Sequence, residues 1–181
     1  MEIDWQMLGE HNARNAMVAV LAADHYGVSL KDSISSLEKF KGVAKRQDVL
    51  LHTDELIIIE DFAHHPTAIQ TTIEGIKKKY PDHRLTVAIE LRSNTMKSGF
   101  HDDRLSEAVN LADKVYWKSE DRSQIEGLVE SLPTKSAKLD SNKFFINDFE
   151  SMNLKKDILI IMSNGDFDGL SRDLLERYRN D

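Results

Sequence analysis

An α/β fold with a Rossmann-like, mostly parallel sheet and helices on both faces is what this sequence predicts, on three observations. Strand-like and helix-like segments alternate from residue 48 onward. The runs "LIIIE", "RLTVAIEL" and "DILIIM" are apolar on both faces. The stretches between them repeat their apolar residues at three- and four-residue spacing. Strands without polar alternation belong to sheets covered on both sides, and strand–helix alternation produces parallel pairing.

Taken in order, "GEHNARNAMVAVLAADHYGV" reads as a helix. Ala13, Met17, Val20, Leu21 and Asp24 lie on neighbouring turns, and Gly27 stands where a C-terminal cap belongs. A short second helix follows: Ser29 and Asp32 resemble a capping box with a shortened acid, and Ile34, Leu37 and Phe40 form its apolar face. Two helices without a strand cannot close a core. Residues 1–45 are therefore expected to end a domain that begins upstream.

After "KGVAKRQ", the runs "DVLLH" and "ELIIIED" flank Thr53-Asp54 as strand, tight turn and strand. Ile69, Ile73, Ile76 and Tyr80 mark a helix that Pro81 ends. "RLTVAIEL" is a strand, Leu105, Ala108, Val109 and Ala112 mark a helix, and "KVYW" is a short strand. Ile125, Leu128, Val129 and Leu132 mark the next helix, closed by Pro133. Residues 134–149 give no clean period and suggest a loop with a short strand at "KFFI". "DILIIM" is a buried strand and "LSRDLLERY" a terminal helix.

Composition narrows the function classes. The 181 residues carry 24 Lys and Arg against 31 Asp and Glu, a net charge of −7, which leaves little to neutralise nucleic-acid phosphates. The absence of cysteine removes disulfides, thiolate metal sites and thiol nucleophiles. With no signal-peptide pattern and no membrane-length apolar run, a cytoplasmic protein is expected.

In such sheets ligands bind beyond the carboxyl ends of the strands, so the residues following each strand are the candidates. After "LIIIE" comes Asp61-Phe62-Ala63-His64-His65-Pro66-Thr67. After "LTVAIEL" comes Arg92-Ser93-Asn94-Thr95-Met96-Lys97, and after "DILIIM" comes Ser163-Asn164-Gly165-Asp166-Phe167-Asp168-Gly169. The opposite connections look like plain turns. Pro66 suits the first turn of a helix, with His65 or Thr67 as its cap. Adjacent His64 and His65 diverge and lack a spaced third ligand, which weighs against a metal site. "SNGDFDG" lacks the spacing and closing Glu of a calcium loop, and its glycines make no dinucleotide fingerprint.

Together "GEHNARNAMVAV", "FKGVAKRQ", "EDFAHHPTAI", "ELRSNTMKSGFHDDRL" and "MSNGDFDGL" resemble, in this order, the later part of the Mur ligase superfamily, over nearly the whole chain. Members use ATP and Mg2+ to join amino acids or peptides to a UDP-muramic acid precursor of peptidoglycan. "LRSNTMK" with "MSNG.F.GL" is most similar to the branch that adds a recycled murein tripeptide, L-Ala-γ-D-Glu-meso-diaminopimelate, to UDP-N-acetylmuramate.

That resemblance implies the last helices of a central ATPase domain in residues 1–45 and the family's C-terminal domain in 46–181. No "G-x-x-G-K-[ST]" occurs, so a chain inactive alone, with its magnesium ligands mainly upstream, is expected. It further implies that His11, Asn12 and Asn15 line the adenine side of an ATP pocket and that Arg46 approaches the nucleotide. Asp61 would close over ATP, with His64 beside it. Phe62 stands where tyrosine is common in the family.

Rim position adds a set for the incoming amine: Arg92, Ser93, Asn94, Thr95, Ser163, Asn164 and Asp166. Arg92 would grip a carboxylate, Asn94, Ser163 and Asn164 would supply hydrogen bonds, and Asp166 would pair with an ammonium group. Three other readings compete. They are a ligase adding L-alanine or another amino acid, a non-catalytic nucleotide-binding α/β module, and a metal hydrolase built on His64, His65 and His101.

Overall fold

The computed structural model describes residues 10–40, 45–92, 102–132 and 135–179, excluding the side chains of residues 10, 11, 102 and 179. Helix α1 (Glu10–His25) is followed by α2 (Leu30–Lys39). Gly27 ends α1 with φ +85°, a left-handed turn in which Gly27 N–H donates to Asp24 O and Val28 N–H to Ala23 O. The Ser29 hydroxyl caps α2 by accepting from Asp32 N–H at 3.1 Å. The shortened Asp32 carboxylate in turn accepts from that hydroxyl at 2.6 Å. The two helices pack on each other, yet Met17 and Leu21 of the α1 pattern are 58% and 61% exposed. That face has no covering layer among the described residues.

The rest is the predicted α/β unit. Its strands are β1 (Asp48–His52), β2 (Leu56–Asp61), β3 (Arg84–Glu90), β4 (Lys114–Lys118), β5 (Ser136–Lys138) and β6 (Asp157–Met162). They form one sheet in the order β1-β2-β6-β3-β4-β5, with β1 antiparallel to β2 and the other pairs parallel. Helices α3 (Pro66–Lys79), α4 (Asp102–Ala108) and α5 (Arg122–Ser131) cover one face, and α6 (Asn142–Glu150) and α7 (Leu170–Arg179) the other.

Each face has its own apolar core, because alternate residues of one strand point to opposite sides. Ile57 and Ile59 meet Ile69, Ile73 and Ile76 of α3. Leu56 and Ile58 lie in the second core with Phe145, Phe149, Leu170 and Leu174 of α6 and α7. β6, with all six residues buried, is one of the two central strands.

One expectation is overturned. "KFFI" lies in α6, and the edge strand is Ser136–Lys138. Ser141 caps α6 by accepting from Phe144 N–H, and Phe145 and Phe149, one turn apart, are both fully buried. The consecutive apolar run hid a helical pair: Phe144 beside them is 58% exposed.

Candidate functional site

The insertion of β6 between β2 and β3 is what assembles the site. Asp61 lies opposite Met162 and Ile89 opposite the same residue, so the corners after β2, β6 and β3 emerge side by side. Ser163 N–H donates to Asp61 O at 3.1 Å. The Ser163 hydroxyl donates to Glu90 Oε2 at 2.5 Å and accepts from Gly165 N–H at 2.8 Å.

Beside the β2 corner is a cavity of about 500 Å3, within the range of small-ligand pockets. Asn12, Arg46, Gln47, Asp61, His64, Thr67 and Thr71 are among its lining residues, with the methyl groups of Ala63 and Ala68 between them. Asn12 is buried, so α1 contributes one wall and the α/β unit the other. The lining combines an amide, a guanidinium, an imidazole and hydroxyls with apolar surface, a donor-rich set that suits a small polar ligand. Among the described residues no three His, Cys, Asp or Glu side chains are grouped to hold a metal. The described residues therefore offer magnesium no cluster of ligands there.

The local backbone explains the corner. His65 is the N-cap of α3, with its Nδ1 accepting from Thr67 N–H at 3.4 Å, and Pro66 occupies the first turn, where a missing N–H costs nothing. His64 places Nδ1 2.9 Å from Phe62 O. A carbonyl only accepts, so Nδ1 carries the proton and Nε2 is the basic nitrogen of the neutral ring. The Phe62 ring meets His64 edge-on at 5.2 Å.

Asp61 is only 6% exposed and its carboxylate is already engaged. Oδ1 accepts from Ala63 N–H at 2.8 Å and from the Thr72 hydroxyl at 3.4 Å, and Oδ2 accepts from Gln47 N–H at 2.9 Å. It ties the turn before β1 to the start of α3. Adjacent Lys45 and Arg46 separate: Arg46 lines the cavity, whereas Lys45 Nζ donates to Gly165 O at 2.7 Å.

On the β3 side, Arg92 is exposed and lies across Gly165, where a Cβ would come within 2.4 Å of its guanidinium. Asn164 is half-buried, and its Oδ1 is a buried acceptor without a hydrogen-bond partner among the described residues. Asp166 is exposed on the same loop.

A second, smaller recess of about 220 Å3 is lined by Glu90, Arg92, Lys118 and Asp168, among others. Lys118 Nζ sits 3.1 Å from Glu90 Oε1 and 2.7 Å from Asp168 Oδ2. The Lys118 hydrogen bond and then its charge hold the Asp168 carboxyl below its usual pKa, with a smaller contribution from Arg92. Glu90 and Lys118 have no counterpart among the residues expected from sequence, and the Lys45-Arg46 pair could not be assigned member by member. The available signal was a charged residue ending each of the apolar strands β3 and β4.

Of the expected nucleotide set, Asn12, Arg46, Asp61 and His64 come together at the cavity. Asn15 is exposed on α1 and is not among the lining residues. The backbone of His11 lies in α1, but its side chain is outside the described residues, as are Ser93, Asn94, Thr95 and His101. Of the expected amine set, Arg92, Ser163, Asn164 and Asp166 share the neighbouring part of the rim.

Known proteins resemble this chain in sequence and in fold. Residues 45–165 match the family "Mur ligase, glutamate ligase domain". The chain is similar to the UDP-N-acetylmuramate--L-alanyl-gamma-D-glutamyl-meso-2,6-diaminoheptandioate ligase of Haemophilus influenzae, 30% identical over 98% of this chain and 40% of that protein. The UDP-N-acetylmuramate--L-alanine ligase of Lactococcus lactis subsp. cremoris is 35% identical over 60% of this chain and 24% of its own length. A murein peptide ligase from Psychrobacter arcticus superimposes with a TM-score of 0.71 at 37% identity, covering 96% of this chain and 38% of that one. The chain thus spans about 40% of the length of the tripeptide ligase it resembles. With the domain match running from the turn before β1 to the loop after β6, this chain belongs to the Mur ligase family.

Proposed function

We propose that this chain is the amine-delivering part of an ATP-dependent ligase that joins L-Ala-γ-D-Glu-meso-diaminopimelate to UDP-N-acetylmuramate in peptidoglycan recycling. Similarity to a tripeptide ligase over 98% of the chain carries this reading, against 60% for the L-alanine ligase. Residues 1–45 are assigned to the end of a central ATPase domain and 46–181 to the C-terminal domain, acting in the cytoplasm. The exposed Met17 and Leu21 on α1 support an upstream neighbour.

ATP, when bound, supplies the γ-phosphoryl group that converts the muramoyl carboxylate to an acyl phosphate, and Mg2+ is assigned to upstream ligands. The chain's own work is positioning and charge placement, which dominate catalysis of this kind. Arg46 offers a cation from the wall opposite Asn12, and both are assigned to nucleotide contact together with His11 on α1, whereas Asn15, exposed and outside the lining, is not. Asp61 holds the turn that carries Arg46, and His64 presents Nε2 at the cavity edge. Across the rim, Arg92 takes a carboxylate of the tripeptide, Asp166 its ammonium group, and Ser93, Asn94 and Thr95 complete that side. Asn164 Oδ1, an acceptor awaiting a donor, receives an N–H of the tripeptide; Ser163 holds the loop through Glu90 and Gly165. The free amine then attacks the acyl carbon, its proton is lost, and inorganic phosphate leaves as the amide forms.

The test is ATP-dependent ligation by the full-length ligase with UDP-N-acetylmuramate and either the tripeptide or L-alanine. Product and stoichiometric phosphate release with the tripeptide are expected. Preference for L-alanine would move the chain to the alanine-adding branch, and ATP binding without ligation to any amine would favour a non-catalytic module.

A further inference from the structure

Lys45, Arg46 and Gln47 form the turn entering β1, and the two residues flanking Arg46 have left-handed backbone, with φ of 61° at Lys45 and 52° at Gln47. Non-glycine residues keep such a conformation only where their surroundings over-determine it. Two anchors do so here. Gln47 N–H donates to Asp61 Oδ2 at 2.9 Å, and Lys45 Nζ donates to Gly165 O at 2.7 Å, with Glu60 Oε1 3.8 Å away.

The second anchor reaches the other half of the site. Gly165 donates its N–H to the Ser163 hydroxyl, and Arg92 lies across its Cα, where a Cβ would come within 2.4 Å of the guanidinium and push the side chain aside. One residue, Gly165, therefore touches both the turn that aims Arg46 and the arginine on the amine side.

We infer that the Lys45–Gly165 contact is a coupling joint, with Lys45 a positioning residue for Arg46 and Gly165 a positioning residue for Arg92. This inference rests on the ligase reading for the identity of the two ligands, a nucleotide and a carboxylate-bearing amine. A ligand that fixes Arg46 fixes the turn, the turn holds the Gly165 carbonyl through Lys45, and the Gly165 backbone limits where Arg92 can lie. Linkage makes the effect reciprocal: the amine strengthens nucleotide binding by the factor by which the nucleotide strengthens amine binding.

The experiment uses the full-length ligase without the muramoyl acceptor, so that no turnover occurs. The affinity of a non-hydrolysable ATP analogue is measured with and without saturating tripeptide, and the reverse. A coupling factor of about fivefold or more is expected for the unaltered protein. Lys45→Met keeps the apolar stem but removes the donor and should bring the factor close to one; Lys45→Arg should restore part of it. Gly165→Ala should weaken tripeptide binding by displacing Arg92. A purely structural Lys45 would lower the melting temperature and leave the coupling factor intact, which would overturn the inference.

Hydrogen exchange supplies a readout independent of ligands. Lys45→Met should accelerate exchange in both 45–48 and 163–166, and acceleration confined to one segment would also overturn the joint. If the unaltered protein binds neither ligand, the ligase reading fails while the exchange measurement still decides the coupling.

Discussion

Removing the Asp61 carboxylate should destabilise the fold even without any ligand. It is nearly sealed from solvent and accepts two well-made backbone hydrogen bonds, from Ala63 N–H at 2.8 Å and Gln47 N–H at 2.9 Å, plus a longer one from Thr72. A hydrogen bond to a charged group contributes about 1.5–3 kcal/mol, and a buried donor left unpaired costs about 1–3 kcal/mol. Asp61→Ala strips both backbone donors at once, but water can reach the Gln47 side from the cavity, so the lower half of the range applies. About 3 kcal/mol is expected. For a chain of this size each kcal/mol shifts the melting temperature by about 2–4 °C, so the fall should be about 6–12 °C by differential scanning calorimetry. Asp61→Asn should fall by roughly half as much, because the amide retains one acceptor and turns its NH2 toward a donor. A change below about 2 °C for Asp61→Ala would refute the claim that Asp61 clamps the turn, and would return it to a role in direct nucleotide contact.

Three further expectations follow from the same geometry. Arg92→Ala should raise KM for the tripeptide about tenfold or more, the worth of a lost charge-assisted contact, while KM for ATP changes less than about twofold; steady-state kinetics varying each substrate checks this. Phe145→Ala, which removes a fully buried ring that meets Tyr116 edge-on at 4.7 Å and stacks on Phe149 at 5.8 Å, should cost about 3–5 kcal/mol in urea unfolding. Acid sensitivity should come partly from Asp148, whose pKa is lowered by hydrogen bonds from Tyr116 and then Lys114. A carboxyl depressed in the folded state stabilises above its unfolded pKa and loses that contribution as pH falls through the folded one. The melting temperature should therefore drop below about pH 4, and Asp148→Asn should lessen the drop.

How much was legible in the sequence depended on whether the deciding interaction was local. Ser29, His65, Pro66 and Gly27 announced their caps, because a cap is settled within a few residues. The apolar runs of β2, β3 and β6 announced burial on both faces, and residues after them marked the rim. "KFFI" misled because three apolar letters in a row serve a strand or a helix, and only Phe145 and Phe149 packing on the sheet decided for the helix.

What the sequence by itself determined is the set of elements and the chemistry available at their ends: a cation-bearing turn, an acid–histidine corner, an arginine after one strand and an Asn-Gly loop after another. What only the tertiary structure decided is their partnership. The chain runs through β3, β4 and β5 before β6 returns to lie between β2 and β3, so Ser163 meets Asp61 from about a hundred residues away in sequence. No periodicity records a pairing over that distance. Nor could adjacent Lys45 and Arg46 be told apart until the Gly165 carbonyl and the cavity gave each of them a different place to point.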